Sequence, residues 1–359
     1  MAGAAVAPAV IPAVILGGTG YVAGELLRLL ALHPVFAPAA VVSESQAGAK
    51  VADVFPHLAG VWPELVLSER GALAELFASS PRIALFSAAP HGASAPLLDA
   101  VLAQAERVGC EVHAVDLSAD FRFADPAAYA ACYGHAHGAP ARQSQFFAGL
   151  PEHQAGVPAA HIGHPGCFVT SVLLPVVALM RLDLVEPSFA VTALTGSTGA
   201  GRGLSAKTHH PERRSNVAAY SPLAHRHEPE MVALAAAATG VAPEIFFVPQ
   251  SGPQARGIYS TLHTRLRRNV SAAEVREALR GFYAGAPFVA VQEEPPRLQE
   301  VVGTNRCHLG VAVKGQHLTV FSTLDNLVKG AAGGGVQWMN RLFGLADTTG
   351  LLLPGLGWL

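Results

Sequence analysis

The run Val14-Ile15-Leu16-Gly17-Gly18-Thr19-Gly20-Tyr21-Val22-Ala23-Gly24-Glu25 constrains this chain more than any other. Branched apolar residues enter a glycine-rich turn, and the turn leaves as the amphipathic run Leu26-Leu27-Leu29-Leu30. Strand, tight turn and helix in that order open a parallel sheet wound with helices, and the spacing is that of a dinucleotide turn. Gly17 permits the turn, Gly20 lets the backbone approach a pyrophosphate, and small Ala23 lets the helix lie on the strand. Unpaired N–H groups and the dipole at the helix start attract anions. Gly17, Thr19, Gly20, Tyr21, Val22 and Ala23 are therefore the candidate cofactor contacts, with Ser43 at the end of the second strand. A glycine-rich turn with no ligand is the plain alternative, and the context that follows weighs against it.

That context is a series of βα units. Strands are expected at Ala13–Leu16, Ala39–Ser43, Ile83–Ser87 and Val112–Asp116, with helices at Gly24–Leu32, Gly71–Phe77 and Ala93–Arg107 between them. A different, more antiparallel sheet is expected from Thr192–Leu194, Ile245–Val248, Gly257–Arg265 and His317–Leu324. Ser271-Ala272-Ala273-Glu274 is a capping box that opens a helix running to about Tyr283. A last helix, about Leu327 to Phe343, follows the final strand. The pattern gives a nucleotide-binding fold, a second α+β domain and a C-terminal helix that returns to the first.

Composition narrows the function classes. The chain has 359 residues, room for about two domains. Charged residues make up 14% and the formal net charge is -2, which argues against a broad nucleic-acid or anionic-membrane surface. No apolar stretch reaches the ~18 residues of a membrane span. Cys110, Cys132, Cys167 and Cys307 are too scattered for a zinc site and too few for a disulfide scaffold, so no metal is expected. Met1 to Leu16 resembles a secretory leader superficially, yet it lacks Lys and Arg and carries Pro8 and Pro12. It reads as a disordered leader before the first strand, and a cytoplasmic protein is expected.

The chemistry concentrates at one cysteine. His164-Pro165-Gly166-Cys167 precedes the apolar run Phe168-Val169-Thr170-Ser171-Val172-Leu173-Leu174. A Pro-Gly turn puts Cys167 at a helix start, where free N–H groups and the dipole stabilise a thiolate, a nucleophile for acyl transfer. The other cysteines sit in no comparable turn and read as structural. His225-Arg226-His227-Glu228-Pro229-Glu230 supplies a base, with Glu230 expected to hold the tautomer of a catalytic histidine. A metal on the His-x-His pair lacks third and fourth ligands at diagnostic spacing.

The loop Thr195-Gly196-Ser197-Thr198-Gly199-Ala200-Gly201-Arg202-Gly203 offers successive backbone N–H groups and a guanidinium to an oxyanion. Ser197 and Arg202 are its substrate candidates. The stretch His209-His210-Pro211-Glu212-Arg213-Arg214 or Arg256 could clamp a substrate carboxylate, and Arg256 is taken as the third substrate contact. At the end of the second strand, Glu44 favours the free ribose hydroxyl of NAD, whereas Arg would favour NADP. Lys50 is close enough in sequence to alter the balance, so these residues leave the choice open.

Several segments then fall into one pattern. The Gly17–Glu25 turn, His91-Gly92, Asp116-Leu-Ser-Ala-Asp120-Phe-Arg122, Gly149-Leu-Pro-Glu152, Pro165-Gly-Cys167, Thr195–Arg202, His225–Glu230 and Asp325-Asn326-Leu-Val-Lys329-Gly330 occur in the order seen in N-acetyl-gamma-glutamyl-phosphate reductases. The chain resembles that family, within the aspartate-semialdehyde dehydrogenase-like superfamily, over nearly its whole length. The resemblance implies a Rossmann-type α/β nucleotide domain at residues 1–164, completed by 325–359, with an inserted α+β substrate domain at 165–324. It implies that Cys167 attacks the acyl phosphate and forms a thioacyl enzyme. NADPH then delivers hydride to give N-acetylglutamate 5-semialdehyde, a step of arginine biosynthesis.

Within that resemblance His227 is favoured over His225 as acid/base because Glu230 follows three residues on, and Asn326 lies near the nicotinamide. NADP(H) is the implied cofactor, with NAD(H) the alternative, and a homo-oligomer acting on a small acyl phosphate is expected. Three departures stand out: His164 replaces the usual Asn before Pro-Gly-Cys, Glu44 stands where basic or polar residues are commoner, and His209–Arg214 resembles relatives acting on carrier-bound aminoadipyl or glutamyl phosphate. The same chemistry on a carrier-bound or aspartyl phosphate is the first alternative. A nucleotide-binding protein without catalysis is the second. A cysteine hydrolase is the third, and it leaves the dinucleotide turn without a purpose.

Overall fold

The structure, a computed structural model, describes residues 10–357. Most of the expected leader, residues 1–9, lies outside the described residues. The first part of the chain runs β1 (Ile11–Leu16), α1 (Tyr21–Leu30), β2 (Phe36–Val42), α2 (Val51–Val54), β3 (Leu67–Ser68), α3 (Leu73–Ser79), β4 (Arg82–Ser87), α4 (Ser94–Val108), β5 (Glu111–Asp116), α5 (Pro126–Tyr133), β6 (Phe146–Ala148) and β7 (His161–Gly163). All seven strands are parallel, in the order β3-β2-β1-β4-β5-β7-β6.

A parallel sheet must be covered on both faces, and β1 shows how. Ile11, Ala13 and Ile15 pack with Leu26, Leu27 and Leu30 of α1, whereas Val14 and Leu16 point to the other face against Leu98, Val101 and Leu102 of α4. Strand order reverses between β1 and β4, where Leu16 pairs with Ser87. The carboxyl ends of these two strands therefore open the crevice in which such sheets bind ligands.

The second part contains α6 (Cys167–Arg181), β8 (Ser188–Thr195), α7 (His210–Arg213), β9 (Ala218–Ala219), α8 (His227–Thr239), β10 (Glu244–Ser251), β11 (Ile258–Arg265), α9 (Ala272–Phe282), β12 (Val289–Val291), β13 (Cys307–Lys314) and β14 (His317–Leu324). Its sheet has the order β12-β13-β14-β11-β8-β10-β9. It is antiparallel except for the β12/β13 and β8/β10 pairs. Every residue of α6 from Phe168 to Leu179 is buried, as a helix apolar all round must be. It forms one core with β8, β11, β14 and α8, so the Cys167 end is anchored by the second sheet. After β14, a π-turn at Val328–Ala332 leads into α10 (Gly333–Leu342), whose Val336, Trp338 and Met339 join the core on the first sheet.

Element boundaries differ from expectation at a few points. Helix α1 starts at Tyr21 rather than Gly24, because Gly20 is already the extended capping residue. The capping box at Ser271 and Glu274 is formed, and α9 ends at Phe282. Strands β3, β6, β7, β9, β12 and β13 were not expected. The first five have two or three residues each, too few for a period, and Gly310 interrupts the apolar pattern of β13.

Candidate active site

The turn after β1 is shaped by contacts that only glycine tolerates. Gly17 has φ +76°, and a Cβ there would lie 2.6 Å from the Ala88 carbonyl at the end of β4. Gly20, by contrast, faces open space, its nearest neighbour to an added Cβ being 3.9 Å away. The first turn of α1 has no side-chain cap and no acidic residue, so its amide hydrogens are available to an anion. Thr19 and Gly20 line a cavity of about 570 Å³ with Gln46, Ala49, Asp53, Val54, Arg202 and Gly203. This geometry suits the pyrophosphate of a dinucleotide. Ala23 is buried and Val22 packs on the core beneath the turn, so these two support the turn rather than face the cavity; Tyr21 is exposed and is not part of the cavity lining.

The acidic residue at the exit of β2 is anchored locally. Glu44 Oε1 accepts the Arg70 amide hydrogen at 3.1 Å, while Ser43 is buried with its hydroxyl 3.5 Å from that of Ser45.

Cys167 is the first residue of α6, and Gly166, in an extended conformation, is its cap. The thiol opens on a second cavity of about 910 Å³ that Phe168, Thr195, Ser197, Arg213, Tyr220, His225 and His227 also line. Gly330, from the π-turn, closes over it: a Cβ there would lie 2.7 Å from the Cys167 Cβ. Burial pushes the thiol above its ordinary pKa, against the Arg122 charge and the helix-start amides, which pull it down. The depressed thiol expected from the helix start alone is therefore not what the free enzyme has; loss of hydration outweighs the dipole.

His227 starts α8 and is buried, with its Nε2 edge against Gly166: a Cβ on that glycine would lie 2.6 Å from Nε2. Its Nδ1 is buried without a hydrogen-bond partner. Burial first, then the charge of Arg122, holds its pKa well below the usual imidazole range, so it is neutral and can accept a proton. His225 Nδ1 accepts the His227 amide hydrogen at 3.1 Å, which leaves the His225 proton on Nε2. Burial lowers His225 to about 4.

Glu230 does not hold a histidine tautomer. Its Oε1 accepts the Gly166 amide hydrogen at 2.8 Å and its Oε2 accepts from Arg122 Nη1 at 3.3 Å. One helical turn separates Glu230 from His227 on α8, but the carboxylate faces the cysteine turn because the buried Arg122 draws it there. Arg122 also donates to the carbonyls of His164 at 2.9 Å and Leu117 at 3.3 Å. His164 itself is fully buried with both ring nitrogens unpartnered, against the backbone of Gly334 rather than the thiol, and burial holds it near 3.

The other expected substrate contacts divide. Ser197 faces the Cys167 cavity, but most amides of the Thr195–Gly203 loop are already engaged. Gly196, Ser197, Thr198, Gly199 and Gly201 all donate to backbone carbonyls, three of them to the segment 254–257. Arg202 belongs to the nucleotide cavity instead: it donates to the carbonyls of Thr19 at 3.2 Å and Val54 at 3.1 Å, over the Phe55 ring. Arg256 is a cross-link and no substrate clamp, because two nitrogens engage Glu25 of α1 and the third engages Asp325 at 3.0 Å. Asn326 accepts from the Gly257 amide at 2.7 Å and donates to Thr198 at 3.0 Å, so it holds the loop beside the cavity.

Residues 12–157 match the family model described as semialdehyde dehydrogenase, NAD binding domain, and residues 167–326 match semialdehyde dehydrogenase, dimerisation domain. A relative from Dehalococcoides mccartyi, named N-acetyl-gamma-glutamyl-phosphate reductase, is 41% identical over 344 residues, 94% of this chain and 96% of the relative. The chain belongs to the N-acetyl-gamma-glutamyl-phosphate reductase family. It is an oxidoreductase with an NAD(P)-binding domain. A reductase of the same name from Nitrosococcus oceani is 39% identical over 95% of this chain and 98% of its own. The aspartate semialdehyde dehydrogenase II of Vibrio cholerae, complexed with ASA, superposes with a TM-score of 0.67 at 16% identity, covering 93% of this chain and 98% of that one. The Candida albicans enzyme with NADP superposes at 0.61, also at 16% identity, over 95% and 100%. Both structures share the fold.

In this reductase two buried charged residues to which sequence reasoning gave no role, Asp120 and Lys329, hold neighbouring segments in place. Asp120 accepts the amides of Gly92 at 2.7 Å and Ala95 at 2.9 Å, fixing the start of α4. Lys329 is fully buried between Glu152 and Gln337. Charged residues inside apolar runs, as in Asp120-Phe-Arg122 and Val328-Lys329-Gly330, were the available signal. Among the described residues no three His, Cys, Asp or Glu side chains cluster as metal ligands would, and no helix is long and apolar enough to cross a membrane.

Proposed function

We propose that this chain reduces N-acetyl-gamma-glutamyl phosphate to N-acetylglutamate 5-semialdehyde and phosphate through a thioester on Cys167, in arginine biosynthesis. The observation that carries the reading is a helix-start cysteine opening on a cavity of about 910 Å³, with the neutral His227 ring on the same Pro165-Gly166 turn. His227 takes the Cys167 proton as sulfur attacks the acyl carbon. The carbon–oxygen bond to phosphate breaks, and phosphate leaves. The nicotinamide, when bound, supplies the hydride that reduces the thioester carbon. The resulting oxyanion re-forms the carbonyl as the carbon–sulfur bond breaks, His227 returns its proton to the leaving sulfur, and the aldehyde departs with Cys167 restored as a thiol. Glu230 and Arg122 hold the turn in place throughout.

NADP(H) is the proposed cofactor, with the Gly17–Ala23 turn and the α1 start on its pyrophosphate. Ser43, at the exit of β2, is assigned to the adenosine side, and Arg202 lines the cavity beside Thr19 and Gly20. Glu44 is anchored on the Arg70 amide, which removes part of the argument for NAD(H). The second domain is proposed to join two copies of the chain, consistent with the dimerisation-domain match at residues 167–326. The test runs the reaction backwards: protein, phosphate and N-acetylglutamate 5-semialdehyde are mixed with NADP or NAD, and cofactor reduction is followed by absorbance. Phosphate-dependent reduction, faster with NADP, is expected. No reduction while Cys167 still reacts with iodoacetamide would move the substrate to another acyl group.

A further inference from the structure

The cavity that holds Cys167 is lined by one buried cationic side chain, Arg213, that has no carboxylate partner among the described residues; Lys207 and Arg226, on the same cavity, are exposed to solvent. Arg213, the last residue of α7, is 9% exposed and lines that cavity with Lys207, Asn216, Tyr220 and Ser251. It donates from Nη1 to the Ser251 hydroxyl and from Nη2 to the Gln254 carbonyl at 3.2 Å. Both acceptors are uncharged. Its Nε is buried with no partner at all, and no carboxylate among the described residues forms an ion pair with it. Arg256 and Arg122, in contrast, each engage carboxylates. A guanidinium this buried and this poorly satisfied is costly unless an anion completes it.

We infer that Arg213 is the specificity-determining residue that receives the α-carboxylate of the substrate. This rests on the functional reading above and deepens it. Two neutral anchors fix the guanidinium plane and leave its remaining N–H groups for a planar, two-oxygen acceptor, the geometry a carboxylate presents. Cys167, Tyr220 and Arg213 line the same cavity, so the thiol and the guanidinium open on one space. In the proposed substrate four carbon–carbon bonds, about 5 Å when extended, separate the reacting carbon from the α-carboxylate. With its acyl carbon at Cys167, the substrate places its anionic end on Arg213 across the shared cavity. A carrier joined through the α-amino group would leave this contact intact.

The test compares wild type with Arg213→Gln and Arg213→Lys on two aldehydes, N-acetylglutamate 5-semialdehyde and 4-acetamidobutanal, which differ only in the α-carboxylate. Arg213→Gln is expected to lower kcat/KM for the carboxylated aldehyde about 100-fold, mostly through KM, with Arg213→Lys between. The decarboxylated aldehyde and the KM for phosphate should not change. A rise in the phosphate KM with both aldehydes would overturn the assignment and put the leaving group on Arg213. Equal losses on both aldehydes with a lowered Tm would make the residue structural.

A second readout needs no turnover. N-acetyl-L-glutamate should slow alkylation of wild-type Cys167 by iodoacetamide, N-acetyl-4-aminobutyrate should not, and Arg213→Gln should abolish the difference. Equal behaviour of the two compounds toward wild type would also overturn the assignment. Protection without turnover of the aldehyde would overturn only the functional reading.

Discussion

The Glu230 carboxylate accepts the amide hydrogen of Gly166 at 2.8 Å, one residue before the nucleophile, while its other oxygen pairs with Arg122. This buried contact joins three elements: the exit of β5 through Arg122, the start of α6 through Gly166, and α8 through Glu230. It makes the cysteine turn a rigid object. Removing one member leaves a buried charge without its partner. Glu230→Ala should therefore cost about 3–5 kcal/mol of stability in denaturant unfolding. Glu230→Gln retains an acceptor for Gly166 and should lose clearly less. Equal losses would mean that the carboxylate does not hold the turn.

The two histidines have different duties. His227 lies on the Gly166 turn, whereas His225 accepts the His227 amide hydrogen and so shapes the start of α8. His227→Asn should lower kcat by roughly 100- to 10,000-fold, the range for a positioned acid/base. His225→Asn should lower it less. The reverse order in steady-state rates would reassign the base.

The thiol is held up, not down, in the free enzyme, because burial outweighs Arg122 and the helix-start amides. A raised thiol pKa delays thiolate formation to higher pH. The iodoacetamide reaction rate of Cys167 should therefore still be rising at pH 9. A plateau near neutral pH would show a preformed thiolate and remove the need for His227 as a base.

Several buried histidines predict acid sensitivity. Burial lowers His153 and His161 to about 4, and His91 and His164 to about 3. Above about pH 6.5 these groups are neutral in both states and stability is full. As pH falls toward the folded values, the unfolded chain takes up protons that the folded chain refuses, and stability is lost. Asp116, raised by burial to about 6, works in the opposite sense over part of the same window. His164→Asn should reduce the slope of unfolding free energy against pH by up to about 1.4 kcal/mol per unit below pH 6. Urea midpoints at pH 7, 6 and 5 would measure it, and an unchanged slope would mean that His164 titrates normally.

Arg256 bridges Glu25 on the nucleotide side and Asp325 at the exit of the second sheet. Arg256→Met should cost about 3–5 kcal/mol, since both carboxylates stay buried without it. The KM for the aldehyde should be little affected. A raised KM at unchanged stability would restore Arg256 as a substrate clamp.

Much of this was legible in the sequence because the signals are local. The glycine turn, the β1, β4 and β5 runs, the Ser271 capping box and the Cys167 helix start each depend on neighbours within a few residues. The identity of each partner was not legible. Glu230 and His227 share a helix turn, so sequence pairs them, yet Arg122 arrives from 108 positions away and takes the carboxylate. The Thr195–Gly203 loop looks like an anion nest until the segment 254–257 uses its amides. Arg213 and Arg256 are equivalent in a sequence and opposite in the structure: one faces neutral groups in the cavity, the other two carboxylates.

The central claim is covalent catalysis at Cys167, and intact-protein mass spectrometry tests it most directly. The enzyme is mixed with N-acetylglutamate 5-semialdehyde and oxidised cofactor in the absence of phosphate. The account predicts a mass gain of one N-acetylglutamyl group, mapped to Cys167 and released on adding phosphate. Cys167→Ala should show neither adduct nor turnover while it still binds the cofactor. Full turnover in that variant, or in wild type without any adduct, would contradict the account.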